Sequence, residues 1–418
     1  MKQSLSTIHV LLPLLFACSN PLMAGDWPQI LGPSRSGVSV GEELLTSWPA
    51  DGPKVNWKYR VGAGFAGVAI AANRVIVFHR VDDKDQVDAI DLARGTVQWR
   101  SGFEAHYQGG VNADLGPRCV PLIHKGHVYV YSAAGDLHCL RLEDGKKVWS
   151  RASYEDFAGN EGYFGAGATP IVAGGYLLVN VGGAGNAGLV AFDLLTGKTA
   201  WQATAEKASY SSPTLATIQG RQHAIFVTRA STIAVDAMNG KIAFQFPFGA
   251  RGPTVNAATP LVIGNKLFVT ASYQVGAKMM VISKNEGKVT SLWASDEIMS
   301  SQYSTAVHHQ GYLYGFHGRE DVGSGSLRCV DVAKGTVKWS ADGLKVGHLI
   351  RSGDLLLVLS VDGSLSLVKA SAQAYEKLAQ ANVAQGATRA LPALSQGRLV
   401  LRISGSNRGE IVCLEVGE

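Results

Sequence analysis

The chain has 418 residues, 46% of them hydrophobic and only 17% charged, with a formal charge of +5. That balance excludes a disordered chain, which would be polar and charge-rich. Glycine contributes 49 residues, above the usual share of roughly 7%, but without the three-residue period of collagen. No basic run or arginine stripe occurs, so no nucleic-acid partner is expected.

Residues 1–24 read as an export signal. Lys2 gives a weak positive start, and Ile8 to Ala17 is mostly apolar but too short to span a bilayer. Two exits compete. Leu15-Phe16-Ala17-Cys18 resembles a bacterial lipoprotein box that would lipidate Cys18, and the alternative is cleavage after Ala24. Either exit exports the protein to the periplasm or cell envelope, with the membrane met only through a Cys18 anchor. Residues 25–53 form an N-terminal extension, and 54–418 a single repetitive domain.

The repeat begins with Ala89-Ile90-Asp91, Gly95 and Trp99. It returns as Cys139-Leu140 with Gly145 and Trp149, as Ala191-Phe192-Asp193 with Gly197 and Trp201, and as Ala234-Val235-Asp236 with Gly240 and Phe244. Val281-Ile282 with Gly287 and Trp293 is looser, and Cys329-Val330-Asp331 with Gly335 and Trp339 is close. The turn glycines average about 48 residues apart, within the range of repeat architectures. Two further units lack the tryptophan: Asp354 to Lys369 followed by Tyr375 and Leu378, and Gly397 to Val416.

Each unit holds four short runs with strand alternation; in the second these are Cys119–Ile123, His127–Ser132, Asp136–Leu142 and Lys146–Ser150. The predicted fold is therefore all-β: an eight-bladed β-propeller of four-stranded antiparallel blades. The last unit has only three strands before the chain ends. Val55 to Val61 reads like a tryptophan strand and would close the ring by pairing with the C-terminal blade. Ala372 to Ala384 has a helix-favouring composition where the repeat demands an outer strand.

The recurrent residues read as structure. The six repeat-slot tryptophans pack between blades. Asp91, Asp193, Asp236 and Asp331, four residues before a turn glycine, bond turn N–H groups. Cys139, Cys329 and Cys413 share a small-residue slot, and Cys119 is placed in the innermost strand of the second unit; all four read as free buried thiols. His124 with His127, and His308-His309, fall in turns without completing carboxylates or cysteines, so no metal site is expected. No C-x-x-C-H occurs, and the glycine run 182–188 joins two strands rather than opening a helix, unlike a phosphate loop.

Function is expected on the face that carries the second-to-third loops and the inter-blade connections. The longer loops are Val81–Gln86, Gly183–Gly188 and Arg319–Gly325, with connections Ser101–Pro117 and Arg151–Gly167. Candidate ligand-binding residues in the first connection are Glu104, His106, Tyr107 and Asn112, and in the second Asn160 and Tyr163. Tyr210, Arg251, Asn256, Tyr303, Arg319 and His348 follow in later units. No catalytic residue is identified.

The Ala-x-Asp-x-x-x-Gly-Lys-x-x-Trp pattern resembles that of the quinoprotein-type, PQQ-like β-propellers. Trp27-Pro28-Gln29 with Gly32-Pro33-x-Arg35-x-Gly37, Tyr210-Ser211-Ser212-Pro213 and Asn256 to Pro260 fit the exported bacterial members of that group. The resemblance implies two functions. One is PQQ- and calcium-dependent oxidation of alcohols or sugars, using adjacent cysteines, a tryptophan floor, and an aspartate beside calcium-binding Glu and Asn. The other is a binding scaffold like the propeller lipoprotein of outer-membrane assembly. The chain has no adjacent cysteines. The expectation is thus a monomeric, non-catalytic scaffold for a protein, peptide or glycan ligand without a cofactor; the alternative is the quinoprotein oxidoreductase.

Overall fold

The computed structural model describes residues 25–252, 254–283, 288–405 and 408–417. The export segment with Cys18 and Ala24, and the turn glycine Gly287, lie outside the described residues. Among the described residues, thirty-two strands form eight four-stranded antiparallel sheets. Seven are built from consecutive strands, from Ala69–Ala71 in blade one to Lys377–Asn382 in blade seven. Blade eight combines Ala393–Ser395, Arg398–Ser404 and Arg408–Glu415 with the N-terminal strand Val55–Gly62. Trp57 stands opposite Cys413 in that pairing, so the strand before blade one and the last strand of blade eight share one sheet. The first strand of blade one, Ala69–Ala71, touches both Leu122–His124 of blade two and Ala393–Ser395 of blade eight near the axis.

The repeat residues form a joint at six of the eight blade interfaces. Each repeat-slot indole N–H donates to a carbonyl in the next blade at 2.8–3.2 Å: Trp57 to Leu92, Trp99 to Leu142, Trp149 to Leu194, Trp201 to Ala237, Trp293 to Val332 and Trp339 to Ser371. For Trp57, Trp99, Trp149, Trp201 and Trp293 the ring lies on that blade's turn glycine. A Cβ on Gly145 would fall 2.4 Å from the Trp99 ring, and its φ of +70° disfavours any other residue. Asp91, Asp193 and Asp331 each accept two turn N–H bonds on Oδ1, and Asp236 accepts one. The small slot lies directly across from the tryptophan, with Cys139 opposite Trp149 and Cys329 opposite Trp339. In blade seven the bulk has changed sides, with Leu367 opposite Ala379.

Four local expectations are corrected. Cys119 precedes the inner strand Leu122–His124 rather than lying in it. Pro121 has no N–H, and the Val120 N–H is spent on Thr169 Oγ1, so the ladder starts later. Val81–Gln86 is a tight turn at Asp82-Asp83, with Asp82 at φ +53°, which places Asp85 and Gln86 in a strand. Arg319 likewise ends a strand, and the loop after it is the short 3-10 turn Glu320–Val322. Connection 151–167 contains the helix Ser153–Phe157. The 372–384 conflict is settled as strand: Lys377–Asn382 completes blade seven because its neighbour offers an unpaired edge.

The extension crosses the axis at the tight-turn end of the inner strands. Trp27 pairs with Ile70 of blade one, and Pro28 accepts the Ile123 N–H of blade two. Gly37 and Ser39 bracket Arg351 of blade seven, and Glu42 accepts N–H bonds from Gln396 and Gly397 of blade eight. Arg35, 1% exposed, donates to the carbonyls of Thr169 and Pro213 and to that of Pro170. Among the described residues no carboxylate pairs with it, and burial pulls its pKa down to about 9.

Candidate functional site

At the opposite, loop-rich end, blades two to four enclose a cavity of about 230 Å³. Tyr131, Tyr154, Tyr163 and Tyr210 supply aromatic surface; Asn160, Asn180 and Asn256 supply amides; Glu161, Lys207 and Arg229 supply charge. Tyr210 organises one wall. Its phenol oxygen accepts the N–H groups of Tyr163 and Phe164 at 2.9 and 3.0 Å, and the Phe164 ring meets it edge-on at 5.5 Å. Gly167 is required beside it, since a Cβ would lie 2.7 Å from the Tyr210 ring. Burial pushes the Tyr210 pKa up, so its O–H stays protonated and can donate.

Asn256 is 1% exposed. Its Nδ2 donates to the Thr228 carbonyl at 2.8 Å, which leaves Oδ1 buried without a partner among the described residues. Asn180 is satisfied by the Gly188 carbonyl and the Ser209 N–H. Arg229 is held by Thr254 Oγ1 at 2.9 Å and the Gly252 carbonyl at 2.5 Å. Partial burial, with Asp136 nearby, raises the pKa of Glu161.

An acidic cluster borders this cavity at blades one and two. Asp136 Oδ2 lies 3.1 Å from His106 Nδ1 and accepts from Ser132 Oγ at the same distance. That bond raises the His106 pKa. Asp85 is buried with Oδ1 unpartnered among the described residues, and burial pushes its carboxyl up to about 7 against the pull of Arg80. Tyr107 sits beneath the Arg118 guanidinium at 4.9 Å with its phenol unpartnered among the described residues. Close by, His138 stacks on Phe103 at 3.8 Å and bonds Ser150, and burial lowers its pKa to about 4.

Across the mouth, Glu320 accepts a bidentate bond from Arg389 and a 2.8 Å bond from the Tyr303 hydroxyl. Arg389 lies 5.0 Å over the Phe65 ring. His348, placed by sequence among the loops, instead starts the inner strand Gly347–Ser352 and is 3% exposed. Its Nε2 bonds the Arg389 carbonyl at 2.8 Å, so it buttresses the Glu320–Arg389 tie.

Of the sequence candidates, Asn160, Tyr163, Tyr210 and Asn256 meet in one cavity. His106 and Tyr107 belong to the neighbouring acidic cluster, and Tyr303 and His348 to the opposite tie. Four join none of these. Glu104 ends the outer strand of blade one opposite Lys84, and Asn112 accepts the Asp114 N–H to shape a turn. Arg251 is exposed, and Arg319 pairs with Asp321 above the Tyr273 ring. Lys207, Arg229, Asp85, Asp136, Glu320 and Arg389 are not among the sequence candidates. Lys207 stands three residues before the recognised Tyr210-Ser211-Ser212-Pro213 element, which was the available signal.

No curated protein matches the sequence. Among solved structures, BamB from Moraxella catarrhalis is 16% identical with a TM-score of 0.63, covering 86% of this chain and 99% of that one. Quinohemoprotein alcohol dehydrogenase from Comamonas testosteroni is 14% identical with a TM-score of 0.66, over 94% of this chain and 81% of that one. A europium-containing methanol dehydrogenase is 12% identical with a TM-score of 0.71, over 94% and 98%. At these identities the likeness is one of fold. The profile described as outer membrane protein assembly factor BamB, of the PQQ_2 family, matches residues 83–341, more than half of the sequence, and the chain therefore belongs to that PQQ-like propeller family.

Proposed function

We propose that this propeller is an exported, non-catalytic binding scaffold of the cell envelope that holds a protein, peptide or carbohydrate ligand at its loop-rich mouth. The carrying observation is the cavity between blades two and four, rigidly framed yet left with the buried Asn256 Oδ1 that has no partner among the described residues. The family description, which concerns outer-membrane assembly, supports an envelope location.

The donor set speaks against the quinoprotein reading. Among the described residues, no three His, Cys, Asp or Glu side chains gather as a metal seat. The repeat tryptophans are committed to the blade joints, and the four described cysteines are separate, buried free thiols. Those residues do not fit PQQ with calcium.

Affinity capture from envelope extracts, with wild-type protein and a Tyr163→Ala, Lys207→Ala variant, tests the scaffold. A ligand retained by wild type and lost by the variant is expected. Saturable PQQ binding with dye reduction in the presence of calcium would refute the non-catalytic assignment.

A further inference from the structure

We infer that the cavity between blades two and four binds a neutral saccharide ring. The inference rests on the scaffold reading and names its ligand class. At about 230 Å³ the cavity falls below the roughly 300–1,000 Å³ of drug-sized pockets, so it suits one ring rather than a chain.

Its unspent polar groups are of both kinds. Asn256 Oδ1 is a buried acceptor without a partner among the described residues, and Glu161 lines the same cavity. Tyr210 accepts two N–H bonds, which leaves its own O–H to give. Asn160 spends Oδ1 on the Gly162 N–H, which leaves its amide donors, and the Lys207 ammonium stands at the rim. A hydroxyl both donates and accepts, so a polyol satisfies such a wall where a pure donor or pure acceptor does not. The tyrosine rings offer apolar faces to the C–H side of a sugar.

Charge sets the neutrality. An anion would meet Glu161 with Asp136 behind it, and a cation would meet Lys207 and Arg229. An extended peptide wants a free backbone edge. Here the wall backbone is already paired, as in Gly165 to Glu161, Gly182 to Gly188 and Tyr210 to Asn256.

The full chain is titrated calorimetrically with neutral monosaccharides and their methyl glycosides, and is also applied to neutral-glycan and peptide arrays. Saturable one-to-one binding to at least one neutral saccharide is expected. Glu161→Ala and Lys207→Ala, both at the rim, should each weaken it tenfold or more while keeping the wild-type thermal transition. A free sugar bound as tightly as its glycoside points to a soluble ligand, and preference for the linked ring points to a glycan end. Saccharide binding unchanged in both variants overturns the site. Absence of saccharide binding overturns the inference outright: if peptides bind at the mouth the scaffold reading survives, and if PQQ with calcium supports dye reduction it falls as well.

Discussion

At the scale of single residues, the repeat is a set of steric and hydrogen-bonding requirements. The turn glycine answers two at once, a left-handed backbone and a tryptophan ring pressed against its missing side chain. Gly145→Ala should therefore cost more than an ordinary surface substitution, roughly 1–3 kcal/mol from overpacking and backbone strain. A lowered urea midpoint with an unchanged slope is the expected reading. These features are legible in sequence because they are local, with Asp91 bonding the N–H groups of Ala93 and Arg94 two and three residues on. The cavity is not local. Asn256 shows its unpartnered Oδ1 only once Thr228, 28 residues back, has taken its Nδ2.

At the scale of elements, the blade joint is the unit of cohesion. Trp149 is buried against blade three, rests on Gly197 and donates to the Leu194 carbonyl. Trp149→Ala removes that contact and leaves a cavity, with an expected loss of about 3–5 kcal/mol. Thermal unfolding of the variant beside wild type measures it. Composition misleads at 372–384, where helix-forming residues are drawn into a strand by the open edge of Ser364–Lys369. The helix Ser153–Phe157 was invisible for the opposite reason. It is five residues long, and its place is set by Ser153 bonding back to Gly135.

At the scale of the whole molecule, the two ends of the axis differ. The extension covers the tight-turn end, held by a buried guanidinium that reaches carbonyls of blades three and four. Arg35→Met would strand those oxygens, each costing about 1–3 kcal/mol, so a loss of at least about 3 kcal/mol is expected. Limited proteolysis should then release residues 25–53 before the propeller unfolds.

The open end carries opposed titrations. Asp85, raised to about 7, holds its proton more tightly when folded, so its stability contribution is present at low pH and is lost as pH rises through about 7. His138, lowered to about 4, is neutral in the fold, so its contribution is present above about 6.5 and is lost as pH falls toward 4. Between pH 4 and 6.5 the two slopes offset. Asp85→Asn should make stability rise with pH across that window, and His138→Phe should make it fall. Each change is on the order of 3 kcal/mol, read from urea unfolding at stepped pH.

The sequence by itself determined the propeller, its blade number, the strand that closes it and the structural work of its tryptophans and aspartates. Each is a period or a short-range bond that recurs often enough to be read. Only the tertiary structure decided what the loops do. Arg389 meets Glu320 across 69 positions and Arg35 meets Pro213 across 178, pairings that have no period. Which side chains are spent in such bonds, and which are left over to face a ligand, follows from ring closure, because only the closed ring brings the connections of three blades to one wall.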